Sequence, residues 1–258
     1  MEKIAILSDI HGNLEALKSV LEDSKKLEVT RYYCLGDTIG KGEHSHECLE
    51  LIKETCNENS VLGNYEEEYK LGFSKVSGLT KEDQEYISNL NFSIDFFLSG
   101  RRVRLFHSTP YNTFEYFLPT DDIKATAQMF APSIRVDNME MPDIVVCGHT
   151  HMPYSKRLLA RDLIGVGSVG ESVELFQDEF FMGDVRNVAC ANYLLLDGEF
   201  GDSENFGAIS YTHRRVPYDI DKELGNNPRE ERVKVLKYGI TPKQSIYLDI
   251  ARDKGIKI

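Results

Sequence analysis

Seven side chains in this sequence have the types and spacing to hold metal ions: Asp9 and His11, Asp37, Asn64, His107, and His149 with His151. The last two stand in "DIVVCGHTH" (Asp143 to His151), where an apolar run stops at a glycine and two imidazoles follow one residue apart. Imidazole and carboxylate suit first-row divalent ions. A carboxylate can bridge two such ions about 3.5–4 Å apart, and one of the aspartates must do so if seven side chains are to fill two four-coordinate sites.

The elements that would deliver these residues are read from hydrophobic periodicity. Lys3 to Ser8 is a short apolar run that ends in Asp9. Leu14, Leu17, Val20, Leu21 and Leu27 then recur at helical spacing. Arg31 to Leu35 reads as a strand ending at Gly36-Asp37, and Cys48, Leu49 and Ile52 fit a second helix. Ser60 to Leu62 reads as a brief third strand ending at Gly63-Asn64. This alternation of strand and helix predicts an α/β domain whose sheet is buried on both faces. Residues 65–90 are polar and helical in tendency, with a helix start at Thr80. Phe92 to Leu98 and Val103 to Phe106 read as strands joined at Ser99-Gly100, the second ending at His107. Asp121 to Phe130 is expected to be helical, and Ile144 to Cys147 is a strand ending at Gly148-His149. Leu163–Val166, Ala191–Leu196 and Ile209–Val216 read as further strands, with C-terminal helices in about 219–258, split at Gly239 to Pro242. No repeat or boundary divides the chain, so residues 1–258 are expected to form one domain.

Each piece of the pattern has an ordinary reading when taken alone. Asp-x-His after a strand is commonly a helix cap with a surface histidine, and Gly-Asp and Gly-Asn are common turns. Five strand ends that each deliver a metal-competent residue are harder to explain so. Ligands of α/β sheets gather outside the carboxyl ends of the strands.

Bulk properties restrict the partners. The net charge of −12 opposes binding to nucleic acid or an anionic membrane, and it also repels phosphorylated ligands unless metal ions supply local positive charge. Five cysteines without a CxxC pair, and no signal-peptide pattern, read as reduced thiols in a cytoplasm. The apolar runs are too short to span a membrane.

Taken together, Asp9-x-His11, Gly36-Asp37, Gly63-Asn64, His107 and Gly148-His149-x-His151 resemble the calcineurin-like metallophosphoesterases. "GDTIGKG" (Gly36 to Gly42), "FHSTP" (Phe106 to Pro110), "GSVG" (Gly167 to Gly170) and "RRVPYDID" (Arg214 to Asp221) are similar to a small bacterial branch of phosphodiesterase or diadenosine-tetraphosphatase type. The resemblance implies a four-layer α/β/β/α sandwich of two mixed sheets. It implies one ion on Asp9, His11, Asp37 and His151, and another on Asp37, Asn64, His107 and His149, with Asp37 as the bridge. Manganese is the first choice, and iron, nickel or zinc also suit the donors. The implied reaction is attack of a metal-bridging hydroxide on the phosphorus of a small phosphorylated substrate, with Asn64, His107, His149 and Asp37 in the catalytic set.

The third motif departs from the family. Gly-Asn-His is frequent there, and that histidine is linked to protonation of the leaving group; this chain has Gly63-Asn64-Tyr65-Glu66. A phenol with an ordinary pKa near 10 donates less readily than an imidazolium. The expected substrates are therefore phosphodiesters or activated esters. Tyr65, Arg186 and His44 are candidate substrate contacts, Arg186 in a loop after "GSVG"; His46 is a further loop histidine, and Glu66 to Glu68 reads as a solvated helix start. Two rival readings stay open: a phosphomonoesterase acting on nucleotides or proteins, and a scaffold that kept the fold without the activity. A homodimer is expected from analogy of fold alone.

Overall fold

The protein is described by a computed structural model that covers residues 1–136, 138–172, 174–178, 181–186, 190–201 and 204–238, with the backbone alone for 174–178, 181–186 and 238. In chain order the elements are β1 (Glu2–Leu7), α1 (Leu14–Lys26), β2 (Arg31–Cys34), α2 (Ser45–Cys56), α3 (Asn64–Lys70), α4 (Lys81–Ser88), β3 (Ser93–Leu98), β4 (Arg101–Phe106), α5 (Ile123–Gln128), β5 (Ile144–Cys147), β6 (Pro153–Leu158), β7 (Arg161–Val166), β8 (Glu174–Asp178), β9 (Phe181–Arg186), β10 (Ala191–Gly198), β11 (Ser210–Val216), α6 (Ile220–Leu224) and α7 (Glu230–Tyr238).

Two mixed sheets are flanked by helices, as expected. The first has the order β11-β10-β1-β2, with β1 and β2 parallel and the other pairs antiparallel. The second has the order β3-β4-β5-β7-β6, parallel at its centre and antiparallel at both margins. Strands β8 and β9 form a separate hairpin.

The twofold alternation of a strand sorts the side chains into layers. On β1, Ala5 and Leu7 face Leu17, Val20 and Leu21 of α1, together with Tyr193 and Leu195 of β10. Ile4 and Ile6 point the other way and meet Leu105, Val146, Ile164 and Val166 of the second sheet. The far face of that sheet carries Phe106, Val145, Cys147 and Leu163, which pack on Phe117, Met129 and Phe130 around α5. Each fully buried aliphatic or aromatic side chain of these clusters contributes about 1.5–3 kcal/mol by leaving water. Burial on both faces is why residues 4–7 of β1 and Ile144–Cys147 of β5 read as continuous apolar runs rather than as alternating ones.

Several expectations are corrected. Ser60 to Leu62 does not form a full strand; it makes isolated parallel bridges from Ser60 to Cys34 and from Val61 to Asn91. Asn64 accordingly opens helix α3 rather than ending a strand. Arg186 is the last residue of β9, opposite Glu174, not a loop residue. Strand β6 reads poorly in sequence because it is a sheet margin that begins with proline and alternates partly buried with exposed residues. Of the C-terminal helices, α6 and α7 are present, and the expected break at Gly239 to Pro242 with the helix beyond it lies outside the described residues. No described helix is long and apolar enough to cross a membrane.

Candidate metal centre

The carboxyl ends of β1, β2, β4 and β5 open at one edge where the two sheets meet. Backbone hydrogen bonds hold them together: Asp9 N–H donates to Gly36 O at 3.1 Å, His11 N–H to Asp37 O at 2.8 Å, and Gly148 N–H to His107 O at 2.8 Å. The sheets are stitched directly by His149 N–H, which donates to Asp9 Oδ2 at 2.9 Å. This leaves no room beside the motif glycines. A Cβ on Gly148 would stand 2.0 Å from Ser8 Oγ, and one on Gly63 would stand 2.2 Å from Asp37 N.

All seven predicted residues converge. One oxygen or nitrogen from each of Asp9, His11 and His151 lies within 4.8 Å of the others, and the same holds for Asp37, His107 and His149. Asn64 joins the second group: its Oδ1 is 3.0 Å from His107 Nε2 and 3.0 Å from His149 Nδ1. Asp37 Oδ2 faces both groups, at 3.8 Å from His11 Nε2 and 3.5 Å from His107 Nε2. Six of the seven are within the buried class, and His151 is partly exposed.

The hydrogen-bond polarity of the histidines is the strongest test of whether cations fit. A neutral imidazole has one N–H and one lone pair. His107 Nδ1 lies 2.7 Å from Leu35 O, His151 Nδ1 lies 2.8 Å from Glu171 O, and His149 Nε2 lies 3.2 Å from Phe114 O. A carbonyl can only accept, so these nitrogens carry the protons. The opposite nitrogens present lone pairs, and they face acceptors: Asn64 Oδ1 and Asp37 Oδ2 for His107, Asn64 Oδ1 for His149, and Asp9 Oδ1 at 3.3 Å for His151. Asp9 Oδ1 is buried without a hydrogen-bond partner. Lone pairs aimed at lone pairs repel unless a cation lies among them. Orientation of ligand histidines by backbone carbonyls is the usual second layer of support in a metal site.

Electrostatics agree. Burial lowers the pKa of His11, His107 and His149, the last to about 4, so these rings are neutral and able to ligate at pH 7. Burial raises the Asp37 carboxyl well above its ordinary value, and the negative charges of Glu66 and Asp9 push it further. Burial also works against Asp9, but a hydrogen bond to His151 and, in the acid range where the rings are charged, attraction to His151, His107 and His11 outweigh it and hold that carboxyl below the usual range. Three carboxylates crowded in a buried edge call for compensating positive charge.

The backbone is strained here as well. Among the described non-glycine residues with left-handed φ are Asp9 (54°), His11 (51°), Asp37 (52°), His149 (66°) and His151 (60°). Each such residue costs of order 1–3 kcal/mol, and this kind of strain collects at functional sites.

Several supporting residues escaped the sequence reading. Glu66, expected to be solvated, is fully buried. Its carboxylate accepts the N–H groups of Asp37 (2.8 Å), Thr38 (2.8 Å), Ile39 (3.1 Å) and Gly63 (3.2 Å), and so holds the loop after β2 against the start of α3. Its place three residues after Gly63, as in a capping box, is the signal that could have found it. Lys41 donates to Glu171 at 2.7 Å, and Arg232 of α7 pairs with the same carboxylate, whose own backbone carbonyl orients His151. Tyr116 packs against the His149 ring with centroids 4.3 Å apart.

The candidate substrate contacts are placed differently from one another. The Tyr65 ring stands edge-on to His11, centroids 4.9 Å apart, so it belongs to the centre. His44 precedes α2 with its Nδ1 3.5 Å from Glu47. Of Arg186 the backbone position in β9 is described. His46 is held at 2.7 Å by Asp83, whose carboxylate also accepts from Lys53 and twice from Thr80; that cluster is a filled ion-pair network joining α2 to α4.

Comparison with known proteins matches the site to a family. The model of the calcineurin-like phosphoesterase superfamily domain matches residues 2–187. An uncharacterized protein of Methanocaldococcus jannaschii, MJ0912, is 30% identical over 169 residues, which is 58% of this chain and 63% of that one, so the match spans less than two thirds of the relative's length. Two crystal structures share the fold. A metallophosphoesterase from Sphaerobacter thermophilus has a TM-score of 0.67 at 22% identity, covering 93% of this chain and 99% of that one. The hypothetical protein PH1004 from Pyrococcus horikoshii OT3 has a TM-score of 0.65 at 19% identity, covering 93% and 100%. Beyond the family match, β10 still pairs with β1 and β11 with β10, so the first sheet draws on both parts of the chain. With more than half its length matched by that model, the chain belongs to the calcineurin-like phosphoesterase superfamily.

Proposed function

We propose that this protein hydrolyses phosphodiesters, or phosphate esters with good leaving groups, using two divalent ions, with manganese as the first choice. Asp9, His11, Asp37 and His151 would hold one ion and Asp37, Asn64, His107 and His149 the other. The observation that carries this reading is the convergence of imidazole lone pairs on the buried oxygens of Asp9, Asp37 and Asn64. Bound there, two divalent ions supply Lewis acidity to the phosphoryl oxygens and bring the pKa of a bound water towards neutrality.

The chain's own residues do the rest. The carbonyls of Leu35, Phe114 and Glu171 keep His107, His149 and His151 in the ligating tautomer. Asn64 Oδ1 is engaged between two imidazoles, which leaves its Nδ2 to donate to a phosphoryl oxygen. Glu66 and Tyr65 N–H, which donates to Asp37 Oδ1 at 2.9 Å, fix the carboxylate that both metal groups share. The Tyr65 phenol has its pKa raised, chiefly by burial, so it is protonated at neutral pH. It is a weaker proton source than the imidazolium frequent in the family at this position, and this favours leaving groups that depart without protonation.

The test compares bis-p-nitrophenyl phosphate with p-nitrophenyl phosphate on chelated protein with manganese restored, beside His149→Ala. Manganese-dependent turnover that favours the diester and is lost in the variant supports the reading. Preference for the monoester would move the assignment to a phosphatase at the same centre.

A further inference from the structure

The two metal groups are supported by different parts of the chain. His107 and His149 take their orientation from the first half, through the carbonyls of Leu35 and Phe114. The group of Asp9, His11 and His151 is backed from the other end, by the segment that follows β10. Asn13, two residues after His11, donates from Nδ2 to the Tyr218 oxygen at 3.2 Å and to Gly170 O at 3.0 Å. Arg229, immediately before α7, donates to the Lys41 carbonyl on the loop that begins with Asp37, and it pairs with Glu43 at 2.9 Å. Arg232 of α7 pairs with Glu171, whose backbone carbonyl accepts from His151 Nδ1 at 2.8 Å. Tyr218, Arg229 and Arg232 all lie beyond residues 2–187, which the family model matches.

Arg232 is placed as an anchor rather than as a surface charge. Its side chain is only 10% exposed, and its Nη2 lies 3.7 Å from Glu223 Oε1 of α6 while Nη1 meets Glu171. The other oxygen of Glu171 accepts from Lys41 at 2.7 Å, so one carboxylate ties the loop after β2 to α7. A buried guanidinium is costly unless its partners are fixed around it. The contact therefore sets where Glu171 stands, and Glu171 sets the His151 ring. That ring has most need of support. Of the seven candidate ligands, His151 alone falls outside the buried class, and its backbone is left-handed with φ 60°.

We propose that Arg232 is a positioning residue for one of the two ions. Through Glu171 it fixes the His151 imidazole, so the ion on Asp9, His11, Asp37 and His151 binds tightly only with α7 docked. The ion on Asp37, Asn64, His107 and His149 is indifferent to Arg232. The inference rests on the division of ligands proposed above, and it adds a residue that supports one ion and not the other. Loss of the partner of a ligand histidine weakens metal binding by about 10- to 100-fold. Arg232 acts one contact further out, so its loss is expected to weaken the first ion by roughly 10-fold, the low end of that range.

The experiment is calorimetric titration of the chelated full chain with manganese, with and without Arg232→Met, in two backgrounds. His149→Ala leaves the first group intact, and His151→Ala leaves the second. The expected result is that Arg232→Met weakens the remaining ion roughly 10-fold in His149→Ala and leaves it unchanged in His151→Ala, where the retained ion also reports that the variant is folded. In a Glu171→Gln chain, Arg232→Met should add little, because both changes act through one contact. Equal weakening in both backgrounds would make Arg232 a support of the fold at large, and no change in His149→Ala would remove it from the centre; either overturns the proposal. Additive effects of Arg232→Met and Glu171→Gln would overturn the route through Glu171. Uptake of fewer than two ions by the parent would overturn the ligand division, and the proposal with it. None of these results depends on turnover. A parent that shows the expected selectivity but fails to hydrolyse bis-p-nitrophenyl phosphate would retain the role of Arg232 and remove the hydrolase reading.

Discussion

One carboxylate oxygen of Glu66 accepts the backbone N–H of Asp37 at 2.8 Å, although the two residues are 29 positions apart. The contact fixes Asp37 in a left-handed conformation and aims its side chain between the two histidine groups. A buried carboxylate that satisfies four N–H groups costs little while intact and much when one partner is removed.

Glu66→Gln should therefore be damaging despite its similar size, because an amide nitrogen would face backbone donors. The expected loss is about 2–4 kcal/mol of folding stability, with fewer ions retained per chain. Urea unfolding with metal analysis of the same sample checks both. Unchanged stability and full metal content would show that the loop holds Asp37 without Glu66.

Metal binding should itself stabilise the fold. Restoring manganese to chelated protein at about 100 times the dissociation constant contributes about 2.7 kcal/mol per site. For a chain of this size that is a rise in Tm of several degrees, at about 2–4 °C per kcal/mol. Asp37→Asn should abolish most of the rise, since this residue faces both groups. A thermal scan with and without manganese measures it, and an equal rise in parent and variant would contradict the shared role of Asp37.

The stretches that read clearly in sequence were those where burial and chemistry agree. β1 and β5 carry buried apolar runs (Ile4 to Leu7 and Ile144 to Cys147), each followed by a polar ligand, while β2 and β4 open on arginines and become buried only towards their carboxyl ends. Gly63 and Gly148 mark the points where another backbone or side chain leaves no space for a Cβ. What did not read was whatever depends on partners distant in the chain. The carbonyls of Leu35, Phe114 and Glu171 orient imidazoles through main-chain atoms, which carry no residue signature. Glu66 looked solvated because it opens an acidic run, yet the loop after β2 closes over it. The left-handed backbone of five metal-competent residues is imposed by the converging strand ends, and nothing in an aspartate or a histidine announces it.

Tyr65 marks the step at which this chain differs from much of its family. Its ring lies edge-on to His11, centroids 4.9 Å apart. Tyr65→His should raise turnover on esters with poor leaving groups, by up to about 10²-fold, with little effect on p-nitrophenyl esters. Tyr65→Phe should lower the former. A series of aryl and alkyl esters read against leaving-group pKa decides this; if both variants match the parent throughout, the residue takes no part in the chemistry.

The Asp83 network predicts a dependence on pH remote from the metal centre. Burial raises the Asp83 carboxyl, but Lys53, Thr80 and His46 outweigh it and bring its pKa to about 2. A depressed carboxyl contributes stability that is present above its unfolded pKa near 3.8 and is lost as pH falls towards 2. The contribution is about 1–2 kcal/mol once solvent screening is allowed for. Asp83→Asn should lose that much at pH 7 and approach the parent near pH 2, as unfolding midpoints across pH would show. A deficit independent of pH would mean that the charge is not what Asp83 supplies.

The most direct test of the central claim is turnover of bis-p-nitrophenyl phosphate as a function of manganese bound per chain, in the parent and in Asp37→Asn. The account predicts negligible turnover in the chelated protein, a rise to full activity as the second ion binds, and loss of that activity in the variant. Full turnover in the chelated protein, or none with two ions bound, would contradict it.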